Sequence, residues 1–288
     1  MHDIRIERDG AMLAGSYSPA GETAIVALHG AAQGTRDHFL YRRLHAVLPS
    51  IGVGVVTFDR RGEGESTGTP SRGRFELQAD DALAVVEEVG ASRVGLWGFS
   101  QGAWIAPLAA RSEHIDFLVL IASTGVTPAQ QMMYATAEQL QRAGYDDAVV
   151  GEALTLRERF AESVRGDRHG EEAEVAAALQ QATNRQWWPL AFLPSRLPSP
   201  EERRRWIEEM EFQPEPVFCG VRIPTLLFYG ADDAWTPVQA SIDAWRRARG
   251  SDVDIVVVAD AGHDLTLSDG SLSADYERAM IEWLITRV

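Results

Sequence analysis

Apolar runs without polar alternation recur along the chain: Ala24–Leu28, Val53–Phe58, Val94–Trp97, Phe117–Ile121, Thr225–Tyr229 and Asp254–Val258. Such runs suit parallel strands covered on both faces, because a strand with one wet face would alternate. Before them, Ile4–Ile6 and Met12–Tyr17, joined around Asp9-Gly10, predict an antiparallel hairpin. Helical patterns between the runs predict helices over 37–48, 75–89, 101–110, 237–249 and 274–286. Strands alternating with helices build βαβ units, so the expected fold is α/β: a doubly wound, mostly parallel eight-stranded sheet.

That rhythm breaks between Thr124 and Gly220, where no strand pattern occurs and Ala, Gln, Glu and Arg dominate. Thr127-Pro128-Ala129-Gln130 and Ser199-Pro200-Glu201-Glu202 each combine a hydroxyl N-cap, Pro at the first helical position and an amide or carboxylate three residues on. The segment 124–220 is therefore expected to be a helical cap, a lid inserted after the sixth strand into a core of 1–123 and 221–288. A lid is favoured over a packing appendage because ligands of open α/β sheets bind at the carboxyl edge.

Composition narrows the chemistry. The 288 residues carry a formal net charge of −15, which repels a phosphate backbone and an anionic membrane surface; neither nucleic acid nor membrane is an expected partner. All 27 basic residues are arginine, which removes Schiff-base chemistry, a pyridoxal anchor, a Walker lysine and a Ser–Lys dyad. The single cysteine, Cys219, excludes an intrachain disulfide or thiolate cluster and reads as a buried small hydrophobe. The N-terminal stretch has no apolar h-region and no run is long enough to span a bilayer, so a cytoplasmic location is expected.

The candidate chemistry centres on Gly98-Phe99-Ser100-Gln101-Gly102, at a junction between an apolar strand and a helix start. Gly-x-Ser-x-Gly in that context is a nucleophile elbow, which leaves the serine hydroxyl exposed on a sharp turn. A serine needs a base to take its proton and an acid to orient that base. The strand 225–229 runs into a loop with Asp232 and Asp233, and the strand 254–258 into one with His263. Serine, acid and histidine thus each follow their own strand, with either aspartate available. His38 and His45 share a helical face, but no third ligand accompanies them, so no metal is expected. Trp187, Trp188 and Trp235 are the aromatic candidates for a substrate pocket, against a default of core packing.

Together these motifs resemble the α/β-hydrolase superfamily, over the whole length except the insertion: His29-Gly30, Asp59-Arg60-Arg61-Gly62-Glu63-Gly64-Glu65-Ser66, the elbow, Gly230-x-x-Asp233-x-x-x-Pro237 and Gly262-His263. The resemblance implies that the acid lies three residues after Gly230, which is Asp233, and that Ser100, Asp233 and His263 are catalytic. It also implies an oxyanion hole from the backbone N–H groups of Ala31 and Gln101. His29 is expected to brace its loop, and Asp59–Gly62 to form a charge network tying the loop after the fourth strand to its neighbours.

The stretch from Asp59 to Ser66 and the sequence around the elbow look most like bacterial carboxylesterases grouped with serine-aminopeptidase-like hydrolases. The implied activity is cofactor-free hydrolysis of a small-molecule carboxylic ester through an acyl-serine intermediate. The alternatives are a proline-type aminopeptidase or amidase, using Glu201, Glu202, Glu208 or Glu209 as an amine anchor, a thioesterase, a lactonase, or a non-catalytic receptor on the same fold.

Overall fold

The computed structural model describes residues 1–167 and 169–287. Its strands are β1 (His2–Arg8), β2 (Ala11–Ser18), β3 (Thr23–Leu28), β4 (Val53–Phe58), β5 (Arg93–Phe99), β6 (Phe117–Ile121), β7 (Thr225–Gly230) and β8 (Asp254–Val258). They form one eight-stranded sheet in the order β1-β2-β4-β3-β5-β6-β7-β8. The β1–β2 hairpin and the β2–β4 pair are antiparallel, and from β4 to β8 every neighbouring pair is parallel. Every residue of β3, β4 and β7 is buried, which is why their sequences show no alternation.

The helices are α1 (Phe39–Val47), α2 (Phe75–Val89), α3 (Gly102–Ala109), α4 (Pro128–Arg142), α5 (Asp147–Arg165), α6 (Glu172–Ala182), α7 (Trp188–Ala191), α8 (Pro200–Met210), α9 (Pro214–Gly220), α10 (Val238–Arg249) and α11 (Ala274–Ile285). The chain divides into two compact units: Met1–Gly125, Pro214–Asp233 and Val238–Val288 form the first, and Val126–Gln213 with Ala234–Pro237 the second.

In the first unit, Leu40, Tyr41 and Leu44 of α1 and Tyr276, Met280 and Leu284 of α11 join one apolar cluster with Trp97, Phe117 and Phe228 of the sheet. Helix α9, which the sequence pattern groups with the insertion, belongs to this unit. Phe218 is fully buried and stacks on Trp245 of α10 at 4.0 Å, while Glu215 pairs with Arg247 at 2.9 Å. With Val217 and Phe218 turned inward, the next residue falls on the solvent side. Cys219 is thus exposed, not the buried hydrophobe expected from its residue type.

The second unit is helical. Capping boxes open α4 at Thr127/Gln130 and α8 at Ser199/Glu202, and Asp146 caps α5, whose end is Gly166 at φ 91°. Its interior packs Leu140, Val150, Leu156, Phe160, Val175 and Leu179 into one apolar cluster, and among the unit's described residues one cation is buried. That cation is Arg157, which donates to Thr136 Oγ1 at 3.0 Å and to the carbonyls of Ala191 and Phe192; burial lowers its pKa to about 10.

Candidate active site

Strand β5 delivers Ser100 through a turn that only small residues permit. A Cβ on Gly98 would lie 2.5 Å from the carbonyl oxygen of Gly102, and one on Gly102 would lie 2.5 Å from that of Leu28. Without them β5, α3 and the end of β3 approach closely, and Ser100 takes the left-handed region at φ 53°. Its backbone N–H donates to Ile121 O at 2.9 Å, pinning the strained residue to the neighbouring strand.

The loops after β7 and β8 are locked together. Ala231 N–H donates to Val258 O and Asp232 N–H to Ala261 O, both at 2.9 Å. Gly230 lies so close to the Ala261–Gly262 backbone that any Cβ there would collide with it. This crossing brings together side chains 30 residues apart, with His263 Nδ1 2.8 Å from Asp233 Oδ2; on its other side His263 Nε2 lies 2.9 Å from Ser100 Oγ, 163 residues away in the chain. A buried carboxylate accepts, so Nδ1 carries the proton and Nε2 is left to accept from the Ser100 hydroxyl. Asp233 is buried (2% exposed), whereas its neighbour Asp232 is exposed. The aspartate pair that the loop sequence left open is thus separated by burial and contact. The Phe99 ring, which the motif did not single out, packs 5.2 Å from the His263 ring and also lies on His38, at 5.9 Å.

Around the loop that follows β3, His29 donates through Nε2 to Phe58 O at 2.6 Å, since a carbonyl only accepts. Burial, followed by the nearby Arg60 charge, pushes its pKa down to about 3, so it is neutral and braces the loop. The charged stretch after β4 forms a network. Asp59 accepts from the backbone of Arg36 at 2.8 Å and of Glu65 at 2.9 Å. Arg61 forms a buried pair with Asp81, and Arg60 reaches Gly30 O and Glu63. Ala31 is an exposed residue of the loop after β3, and Gln101 immediately precedes α3 beside the serine. The start of that helix carries positive dipole, the sign a developing oxyanion needs.

The tryptophan candidates belong to the second unit. Trp187 is buried in the interior of the helical unit and lines a groove of about 360 Å³ within it; Trp188 is half-buried at 6.3 Å from it, and Trp235 packs on Phe192 at 4.7 Å. His45 is held at both ring nitrogens, by Ser18 Oγ at 2.9 Å and Thr57 Oγ1 at 3.0 Å. Among the described residues no group of three or more His, Cys, Asp or Glu could hold a metal ion. Glu201 pairs with Arg205 and Glu202 with Arg196, so neither is a free anchor for a substrate amine. No described helix is long and apolar enough to cross a membrane.

The family model described as the alpha/beta hydrolase family matches residues 25–275. The chain belongs to that family. A curated relative, the lysophosphatidylserine lipase ABHD12 of Bos taurus, is 46% identical over 88 residues, which span 28% of this chain and only 21% of the relative. Among solved structures, an esterase of Pyrococcus furiosus superposes with a TM-score of 0.63 at 16% identity, covering 99% of this chain and 88% of that one. A proline iminopeptidase of Mycobacterium smegmatis gives 0.62 at 16% identity, covering 99% and 98%. At such identities the likeness speaks for the fold.

Proposed function

We propose that this chain is a serine hydrolase that cleaves carboxylic esters of small to medium acyl groups through an acyl-Ser100 intermediate. The observation that supports this reading is the series Ser100–His263–Asp233, joined at 2.9 and 2.8 Å on a strained elbow. His263 Nε2 takes the proton as Ser100 Oγ attacks the ester carbonyl carbon. The carbonyl oxygen becomes an anion, received by the N–H groups of Ala31 and Gln101. Such donors are each worth roughly 3–4 kcal/mol in acyl transfer. Collapse breaks the ester C–O bond, His263 gives its proton to the departing alcohol, and water then repeats the sequence to free Ser100 and release the acid. Asp233 holds the imidazole in the required tautomer and stabilises its charged form.

The test is hydrolysis of p-nitrophenyl esters of graded acyl length, together with labelling by a fluorophosphonate probe. Turnover and labelling are expected in the wild type, and Ser100→Ala is expected to abolish both. Full activity in Ser100→Ala sinks the reading. Prolyl arylamides, thioesters, lactones and a lysophospholipid complete the panel, and preference for any of these over simple esters would redirect the substrate class without moving the nucleophile.

A further inference from the structure

Two arginines stand side by side after β4, and they do different things. Arg61 is committed to Asp81 of α2. Arg60 is as deeply buried, at 1% exposed, but points to the loop that follows β3. Its Nη2 donates to the carbonyl oxygen of Gly30 at 2.5 Å and its Nη1 pairs with Glu63 Oε1 at 2.9 Å. Its backbone N–H grips the far end of the same loop, donating to Gly34 O at 2.7 Å. Arg60 therefore holds residues 30–34 at both ends.

The carbonyl of Gly30 and the N–H of Ala31 are opposite ends of a single planar peptide unit. Fixing the oxygen fixes the direction in which the N–H points. A buried cation on that oxygen also draws electron density away from the amide nitrogen and strengthens the N–H as a donor, because hydrogen bonds in series polarise one another in a low-dielectric interior. We propose that Arg60 is a positioning residue of the oxyanion hole, orienting and polarising the Gly30–Ala31 peptide toward the negative oxygen of the tetrahedral intermediate. The proposal rests on the acyl-serine reading above. The ionisable neighbours agree with it: Glu63 is shared between Arg60 and Arg72, at 2.9 and 3.2 Å, and His29 adds no second cation.

The decisive variant is Arg60→Met, which keeps the length of the buried stem and removes the donor and its charge. Two quantities are read: ester turnover, and inhibition by an alkyl trifluoromethyl ketone whose hemiketal oxygen takes the oxyanion position. Turnover number is expected to fall about 10- to 100-fold, less than loss of a whole oxyanion donor, with KM within about 2-fold. Ketone affinity should fall by the same factor, since transition-state analogues report the same contacts. Arg60→Lys, which restores one buried cationic donor, should recover part of both. Should Arg60→Met fail to fold, Arg60→Gln, neutral but with a donor retained, carries the same readout. Turnover and ketone affinity both within about 2-fold of wild type overturn the proposal, as does a fall in turnover with ketone affinity unchanged. A wild type that neither hydrolyses the ester nor labels at Ser100 brings down the function and this inference together. An active, labelled wild type with equally active Arg60 variants brings down only this inference.

Discussion

In the sheet unit Ser100 and His263 are half-buried, and the polar groups that hold the loops around them are buried. Asp233 is 2% exposed, the Arg61 and Asp81 side chains are 6% and 2% exposed, and glycines at Gly98, Gly102 and Gly230 let main chains approach where no side chain fits. In the helical unit the ion pairs sit in solvent: the side chains of Arg205 and Glu201 are 60% and 66% exposed, those of Arg185 and Glu152 58% and 44%. That unit is organised by caps and apolar packing, with Arg157 as its buried exception. Charge in water is screened and worth little, whereas a buried polar group is costly unless its geometry is satisfied. The first unit therefore has geometry to lose, and the second mostly stability.

That contrast can be broken most sharply at the buried acid. Asp233→Asn keeps the shape but reverses the hydrogen-bond polarity toward His263 Nδ1. Turnover should fall on the order of 10⁴-fold with the fold intact by circular dichroism. A fall below 10-fold would mean that the buried carboxylate does not set the tautomer. Gly98→Ala comes next, because its Cβ would meet the Gly102 carbonyl oxygen at 2.5 Å. A loss of about 4 kcal/mol in urea unfolding is expected, the range of severe strain.

In the helical unit, Arg157→Met orphans the carbonyls of Ala191 and Phe192 and the Thr136 hydroxyl. It should cost about 3 kcal/mol while the intrinsic reactivity of Ser100 toward a small fluorophosphonate stays near wild type. A change confined to labelling would contradict the division of roles.

Mild acid probes the histidines of the sheet unit whose pKa burial lowers. His29 has its folded pKa lowered from 6.5 to about 3, so between those values the unfolded chain binds a proton that the folded chain refuses. Its contribution is fully present above about pH 6.5 and is lost progressively as pH falls. Unfolding at pH 5 should be easier than at pH 7 by about 2 kcal/mol from this residue, and His29→Gln should flatten that slope. His45, lowered to about 4 by burial, acts in the same direction. Smallest of all, Glu201→Gln, which breaks an exposed pair with Arg205, should shift stability by about 0.5 kcal/mol or less.

Much of this was legible in the chain itself, for particular reasons. Continuous apolar runs identified the strands because double burial forbids alternation, and both capping boxes were readable because their hydrogen bonds span only three residues. The charge network after β4 followed from residue type. Cys219 was misread because helix phase, which composition does not carry, set its exposure. The grouping of α9 depended on Phe218 meeting Trp245, a contact 27 residues away along the chain.

The sequence by itself determined the α/β fold, the elbow and the order serine–acid–histidine, since each is local pattern or chain order. The family resemblance already pointed to Asp233; only the tertiary structure decided that its carboxylate is buried against His263 while Asp232 is exposed, that Phe99 flanks the imidazole, and that Arg60 rather than Arg61 reaches Gly30. The physical reason is the same each time. Adjacent residues of like chemistry differ in which way the backbone aims them, and that aim is set by strand crossings and close main-chain contacts far away in sequence.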